Sequence, residues 1–179
     1  MDKRNLEQLL SDVADGSITP ADALTRIQTA PTADLGFAQL DLSRGVRQGA
    51  GEVVYGAGKT AEQIAAIIEA LRDAGQERIL VTRLDAEKAA RTSEFLGNGI
   101  DLGYVPDAQL ALVGGKPSPT GNGRIVVACA GTSDLPVAEE AALTAEFYGN
   151  EVDRLYDVGV AGLHRLLAHA EELAQAQVV

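Results

Sequence analysis

The chain has 179 residues, of which 46% are hydrophobic and 4% aromatic, and it contains no tryptophan. This length and apolar content can build the core of one or two domains. The formal net charge of -11 repels phosphate backbones and therefore argues against nucleic acid binding.

Cysteine usage and hydropathy restrict the class of protein further. The single cysteine, Cys129, can form neither a disulfide framework nor a thiolate cluster, which favours a reducing compartment. No window approaches eighteen consecutive apolar residues, so the sequence predicts no membrane span and no signal peptide. We therefore expect a cytoplasmic protein.

Helical and extended patterns alternate over the first two thirds of the chain and predict an α/β subdomain over residues 1–116. The expected helices, which have apolar residues at three- and four-residue spacing, cover about 5–14, 20–27, 60–74 and 85–96. The expected extended segments cover 34–41, 52–56 and 79–82, with weaker signals at 104–105 and 110–113.

Residues 114–123 have the densest glycine and proline content of the chain, so we predict a linker over 117–123. The following domain, 124–179, has a strand, helix, strand, helix pattern, which predicts parallel strands with right-handed crossovers. Its predicted elements lie at 124–130, 134–148, 151–156 and 163–174. A third strand would begin near 177–179, so we expect this domain to be incomplete.

The turn after the strand at 124–130 is the most informative segment. Ligands of open parallel sheets bind beyond the carboxyl ends of the strands, where a helix N-terminus presents backbone N–H groups. Gly131 would let a ligand approach, and Thr132 and Ser133 add hydroxyl groups. Asp134 is suited to cap the next helix, and this capping role is the alternative to a functional one.

A second loop, which contains Gly159 and Gly162, would lie beside this turn, and the two loops together predict a ligand-binding crevice. His164 could act there as an acid or base, or could lie on the helix surface. His169 follows five residues later, which is not the spacing of a two-histidine metal site, so we predict no metal. Cys129 is expected to be buried and unreactive.

Arg44, Arg47 and Lys59 form a basic set in an acidic chain. Arginine matches phosphate oxygens with two donors, although solvated surface charge is the alternative interpretation. The segment Gly56-Ala57-Gly58-Lys59-Thr60 is too short for a phosphate loop, which has four residues before its Gly-Lys pair. These three residues are therefore candidates for phosphate binding without nucleoside triphosphate hydrolysis.

Five segments along nearly the whole chain carry a family resemblance, and they comprise residues 34–38, 44–49, 52–60, 130–141 and 156–165. They resemble LarB, the nickel-pincer cofactor biosynthesis protein. The carboxyl-terminal part of LarB is similar to PurE, the aminoimidazole ribonucleotide carboxylase or mutase, whose first loop matches Gly131, Ser133, Asp134 and Pro136. The Ser-Ala-His-Arg motif of PurE is replaced here by Asp157-Val158-Gly159-Val160, which argues against purine synthesis.

The resemblance implies that residues 124–179 form the first strand-helix-strand-helix of a PurE-like, flavodoxin-like three-layer parallel sheet. It also implies carboxylation of the pyridinium ring of nicotinic acid adenine dinucleotide by CO2 or bicarbonate, with hydrolysis of the phosphoanhydride to release AMP. In the family a cysteine adds to the ring, which is covalent catalysis, and Cys129 does not match its position. No bound cofactor is implied, and a magnesium requirement stays open.

Our hypothesis gives the candidate residues three roles in such a reaction. The residues implied in substrate binding are Gly131, Thr132, Ser133, Val158, Gly159 and Gly162. The residues implied in orientation or proton transfer are Asp134, Asp157 and His164. The residues implied in binding the dinucleotide phosphates are Arg44, Arg47 and Lys59.

The family expectation is a homo-oligomer, with the PurE-like octamer as its form. The alternative function is a non-catalytic nucleotide-binding or assembly module, and a PurE-like carboxylase or mutase is a second alternative.

Overall fold

The computed structural model describes residues 3–28, 32–42, 44, 50–97 and 99–179, so Arg47 lies outside the described residues. The chain starts with helices α1 (Lys3–Ala14) and α2 (Pro20–Gln28), which contact each other. Thr19 Oγ1 accepts a hydrogen bond from the Asp22 N–H at 3.1 Å, which caps α2 at the position that the Thr-Pro order predicts.

The extended segment predicted at 34–41 is instead a hairpin. Strands β1 (Thr32–Asp34) and β2 (Gln39–Asp41) pair antiparallel. Asp34 Oδ1 accepts from the Gly36 N–H at 2.8 Å, and Gly36 has a φ of 77°. The prediction of one continuous segment was wrong because an Asp side chain that bonds two residues ahead, followed by a glycine at positive φ, favours a turn.

A four-stranded mixed sheet forms the centre of residues 50–114, in the order β3-β4-β6-β5. Strand β3 (Val53–Tyr55) pairs parallel with β4 (Ile79–Thr82). Strand β6 (Leu110–Val113) pairs antiparallel with both β4 and β5 (Leu102–Val105). Every residue of β4 and β6 is buried, which is typical of strands covered on both faces.

Helices α3 (Ala61–Asp73) and α4 (Ala86–Phe95) cover one face of this sheet. Thr60 and Gln63 form a reciprocal capping box, with hydrogen bonds of 3.2 and 3.0 Å, so α3 begins directly after Lys59. Strands and helices thus alternate here as the sequence predicts.

The opposite face is covered by α5 (Leu135–Phe147), a helix from beyond the predicted linker. Its Leu143 and Phe147 lie in one buried cluster with apolar residues of the sheet and the neighbouring 3₁₀ turn. The buried partners in that cluster are Leu80, Ala108, Leu110 and Leu112. The segments 1–116 and 124–179 therefore share a core, and their division at 117–123 stays a prediction.

Two ion pairs extend this contact along α5. Arg83 Nε lies 2.7 Å from Glu140 Oε2, and Lys116 Nζ lies 2.7 Å from Glu146 Oε2. The first pair joins α5 to the carboxyl end of β4, and the second joins it to the segment that leaves β6. Both pairs add contacts at the margin of the buried cluster that packs α5 on the sheet.

Strands β7 (Arg124–Ala128) and β8 (Glu151–Leu155) pair in parallel, which confirms the prediction. On the other edge of β7, the Val126 N–H donates to Val178 O at 2.9 Å, and the Gln177 N–H donates to Arg124 O at 2.9 Å. The predicted third strand near 177–179 thus starts with a parallel bridge to β7.

The helix predicted at 163–174 is two helices, α6 (Leu163–Leu167) and α7 (Ala170–Gln175). The break lies at His169, whose backbone has a φ of -104° and a ψ of 15°. Its Nδ1 lies 3.0 Å from Glu172 Oε2, and this local contact holds His169 at the start of α7. None of the described helices is both long and apolar enough to cross a membrane.

Replacing Leu143 by alanine should lower the free energy of unfolding by about 2–4 kcal/mol, because it opens a cavity between α5 and the four-stranded sheet. Urea denaturation measures this loss. Val137→Ala is the control on the same helix, since Val137 is 57% exposed, and it should change the free energy of unfolding by less than about 0.5 kcal/mol. Equal effects of the two variants would contradict the packing of α5 on the sheet.

Candidate functional site

The first candidate loop is a 3₁₀ turn, Thr132–Asp134, between β7 and α5. Asp134 stands directly before α5, but its side chain does not cap that helix, so this part of the prediction was wrong. Its Oδ2 instead accepts from the Gly131 N–H at 3.0 Å, because the tight turn brings these groups together. The side chains of Thr132, Ser133 and Asp134 are exposed.

The second candidate loop follows β8. Asp157 has a φ of 58°, which is uncommon for a residue other than glycine, and its exposed carboxylate pairs with the guanidinium of Arg165. Val158 is buried beneath this loop. The 3₁₀ turn Val160–Gly162 then leads into α6.

The two loops are joined through their backbones. The Val158 N–H donates to Cys129 O at 3.1 Å, and the Gly159 N–H donates to Ala130 O at 3.1 Å. A Cβ atom on Gly159 would lie 2.8 Å from Ala130 O, so only glycine permits this close approach without a backbone shift. The predicted adjacency of the two loops is confirmed by these bonds, and their binding of a ligand stays a prediction.

Cys129 lies one residue beyond β7, at the junction of the loops, and is 9% exposed. Its Sγ lies 3.8 Å from Gly131 O. The prediction that this thiol is buried is confirmed. A buried thiol away from solvent behaves as a small apolar group.

His164 is exposed on α6, and the neighbouring Arg165, not His164, contacts Asp157. A role for His164 in proton transfer stays a prediction. In the described part of the chain, no three His, Cys, Asp or Glu side chains gather as a metal site would require.

A charged cluster beside the loops was not predicted from the sequence. Arg154 Nε lies 3.1 and 3.2 Å from the two carboxylate oxygens of Glu139, and its Nη1 lies 2.5 Å from Glu146 Oε1. Tyr156 donates its hydroxyl hydrogen to Glu139 Oε1 at 2.7 Å. The available signal was an arginine in a strand of a parallel pair, where apolar residues are expected.

The cluster changes the ionisation of its members. Burial, together with the hydrogen bond to Glu139, raises the pKa of Tyr156 to about 12. Burial opposes ionisation of Glu146, but hydrogen bonds from Arg154 and Lys116 outweigh it and lower the pKa of this carboxyl. The cluster therefore favours the neutral form of Tyr156 and the charged form of Glu146.

The two described basic candidates, Arg44 and Lys59, contact residues in or next to β3 of the four-stranded sheet. Lys59 Nζ donates to Tyr55 O at 3.0 Å and lines a cavity of about 480 Å³ between the first turns of α3 and α4. Lys88 and Arg91, which the sequence did not single out, line the same cavity. Arg44 Nη1 lies 3.7 Å from Glu52 Oε2. Phosphate binding by these cations stays a prediction.

Gly159→Ala should lower the free energy of unfolding by about 1–3 kcal/mol, because the added Cβ forces the joined loops apart. Gly131→Ala is the matched control, since nothing lies within 4 Å of a Cβ at that position and its φ of -147° suits alanine. Urea denaturation of both variants is the measurement. An unchanged free energy of unfolding in Gly159→Ala would contradict the close approach of the loops.

Stability should fall as the pH rises from about 10 towards 12. The folded protein holds the Tyr156 proton more tightly than the unfolded chain, in which tyrosine has its ordinary pKa of 10.0, so deprotonation favours unfolding. Urea denaturation between pH 9 and 12 measures the effect, and Tyr156→Phe should remove part of the decline. An identical decline in wild type and variant would contradict the raised pKa.

Comparison with known proteins supports the family assignment. Residues 32–114 match the family described as the LarB/PurE-like N-terminal domain. An uncharacterized protein of Methanocaldococcus jannaschii is 32% identical over 142 residues, which cover 78% of this chain and 56% of that protein. The chain thus spans little more than half the length of this curated relative. Residues 32–114 are thus identified as a LarB/PurE-like N-terminal domain.

Proposed function

We propose that this chain takes part in the LarB reaction, which is the carboxylation of nicotinic acid adenine dinucleotide. In that reaction a carbon–carbon bond forms between CO2 and a ring carbon that gives up its proton. Water then splits the phosphoanhydride and releases AMP. The observation that carries the proposal is the pair of joined loops at the carboxyl ends of β7 and β8, where open parallel sheets bind ligands.

The first loop would hold the carboxylate groups of the ring or the CO2. The Gly131 N–H is already bonded to Asp134, so the exposed hydroxyl groups of Thr132 and Ser133 are the side-chain donors that this turn presents to a ligand. The open space beside Gly131 leaves room for a ring to approach.

The second loop would complete the contact. Val158, Gly159 and Gly162 would form its backbone surface, and Asp157 would orient the ligand from a position fixed by Arg165. His164 is our candidate for proton transfer on the exposed side of α6. Asp134 would act by shaping the first turn.

The phosphates of the dinucleotide would bind to the basic candidates Arg44, Arg47 and Lys59. Lys59, which directly precedes the N-cap of α3, lies in a cavity that Lys88 and Arg91 of α4 also line, together with carboxylates of Glu62, Asp85 and Glu87. Cations that meet in one cavity suit a diphosphate. This assignment extends the ligand from the loops of the parallel pair towards the four-stranded sheet. A homo-oligomer in the cytoplasm, with the PurE-like octamer as its form, is part of the same proposal.

A nucleotide-binding or assembly module without turnover is the second candidate. The observation that favours it is the burial of Cys129, because this is the single cysteine of the chain and covalent addition to the ring requires an accessible thiolate. Both candidate functions predict binding of the dinucleotide, but only the carboxylase predicts its conversion to products.

Incubation of the chain with nicotinic acid adenine dinucleotide, bicarbonate and magnesium, followed by mass spectrometry, separates them. The carboxylase proposal expects AMP and a carboxylated mononucleotide in equal amounts. Binding of the dinucleotide without either product would favour the second candidate. A chain that neither binds nor converts the dinucleotide would contradict both.

Ser133→Ala should weaken binding of nicotinic acid adenine dinucleotide by about fivefold, because one hydrogen bond of about 1 kcal/mol is lost. Calorimetric titration measures the dissociation constant. Ser118→Ala, at an exposed position of the predicted linker, is the matched control and should bind like wild type. Unchanged affinity of the Ser133 variant would remove this hydroxyl from the site.

A further inference from the structure

Tyr156 and Glu139 connect the two elements from which the candidate loops start. Tyr156 directly precedes Asp157, the first residue of the second loop. Glu139 lies on α5, little more than one turn after Asp134. The 2.7 Å hydrogen bond from the Tyr156 hydroxyl to Glu139 Oε1 therefore joins the base of one loop to the base of the other.

Arg154 prevents the Glu139 carboxylate from turning away. It points to the same side of β8 as Tyr156, because alternate residues of a strand share a face. Its Nε donates to both carboxylate oxygens of Glu139, and its Nη1 donates to Glu146, about two turns further along α5. The carboxylate that receives the tyrosine hydrogen bond is thus held by a second, charge-assisted contact.

We infer that Tyr156 and Glu139 are positioning residues of the proposed site, which set the separation between the Thr132–Asp134 turn and the loop after Asp157. The inference rests on the proposed function and deepens it. The same separation is bridged directly by the bonds from Val158 and Gly159 to Cys129 and Ala130. The side-chain cluster and the backbone hydrogen bonds therefore both restrain the separation between the two loops.

Tyr156 acts through the loops and not on the ligand. Its hydroxyl hydrogen is committed to Glu139, and the side chain is half-buried against α5. Removing the hydroxyl leaves the ring in place. The hydrogen bond to Glu139 is lost, and the packing around the ring is kept. The expected consequence is local opening of the contact between the loops.

Amide hydrogen exchange measured by NMR tests this opening. In Tyr156→Phe the Val158 and Gly159 amides should exchange about tenfold faster, because a hydrogen bond to a charged group is lost. Amides of the four-stranded sheet, such as that of Leu80, should keep their rates. Tyr104→Phe, which removes a hydroxyl from a half-buried tyrosine on β5, should leave Val158 and Gly159 unchanged.

Two exchange results would overturn the inference. Unchanged rates at Val158 and Gly159 in Tyr156→Phe would mean that the hydroxyl does not hold the loops. A uniform acceleration at these amides and at Leu80 would mean a general loss of stability and not a positioning role. Glu139→Gln, which retains an acceptor for Tyr156 but loses the charge that Arg154 binds, should accelerate Val158 and Gly159 in the same selective way.

Titration with nicotinic acid adenine dinucleotide separates this inference from the proposed function. If wild type binds, Tyr156→Phe should raise the dissociation constant by about tenfold, in step with the exchange rates. Wild-type binding with equal affinity in the variant would overturn the positioning role and leave the proposed function in place. If the wild-type chain does not bind the dinucleotide, but Tyr156→Phe selectively accelerates exchange at Val158 and Gly159, the proposed function alone is contradicted.

Discussion

The packing of α5 between two sheets is the constraint on which the rest of the structure depends. Residues three and four apart share a face of a helix, so Glu140, Leu143 and Phe147 point together towards the four-stranded sheet. Glu139 and Glu146 lie on another face and bind Arg154 of β8. One helix thus completes the apolar core of the first sheet and neutralises a charge on the second.

This double role also positions the candidate site. The turn Thr132–Asp134 ends where α5 begins. The second loop follows β8, and Glu139 of α5 accepts a hydrogen bond from Tyr156, directly after that strand. A shift of α5 on the four-stranded sheet would therefore move the first loop relative to the second. The backbone hydrogen bonds from Val158 to Cys129 and from Gly159 to Ala130 oppose that movement. The relative position of the two loops accordingly depends on the packing of α5 on the four-stranded sheet, away from the hydroxyl groups of Thr132 and Ser133.

Local patterns predicted much of this fold. The apolar spacing of α3 and the alternation of strands and helices both depend on residues close in sequence. The adjacency of the two loops followed from one topological rule, that parallel strands joined through a helix end on the same edge. Local reasoning was insufficient at Asp134, whose carboxylate has the alternative partner Gly131 in the turn.

The contacts that were not predicted join residues far apart in sequence. The binding of Arg154 to Glu139 and Glu146, the pairing of Arg83 with Glu140 and the shared cavity of Lys59 and Arg91 require knowledge of how elements pack. A charge in a strand signals that a partner is needed but does not say which one. For the same reason the predicted linker gave no sign that α5 covers the sheet before it.

The most direct test of the account is an NMR titration of the chain with nicotinic acid adenine dinucleotide. If the joined loops bind the ligand, the amide shifts of residues 131–134 and 157–162 should change together and saturate with one dissociation constant. Shift changes confined to the cavity around Lys59, or no changes in either loop at saturating dinucleotide, would contradict a ligand site at the ends of β7 and β8.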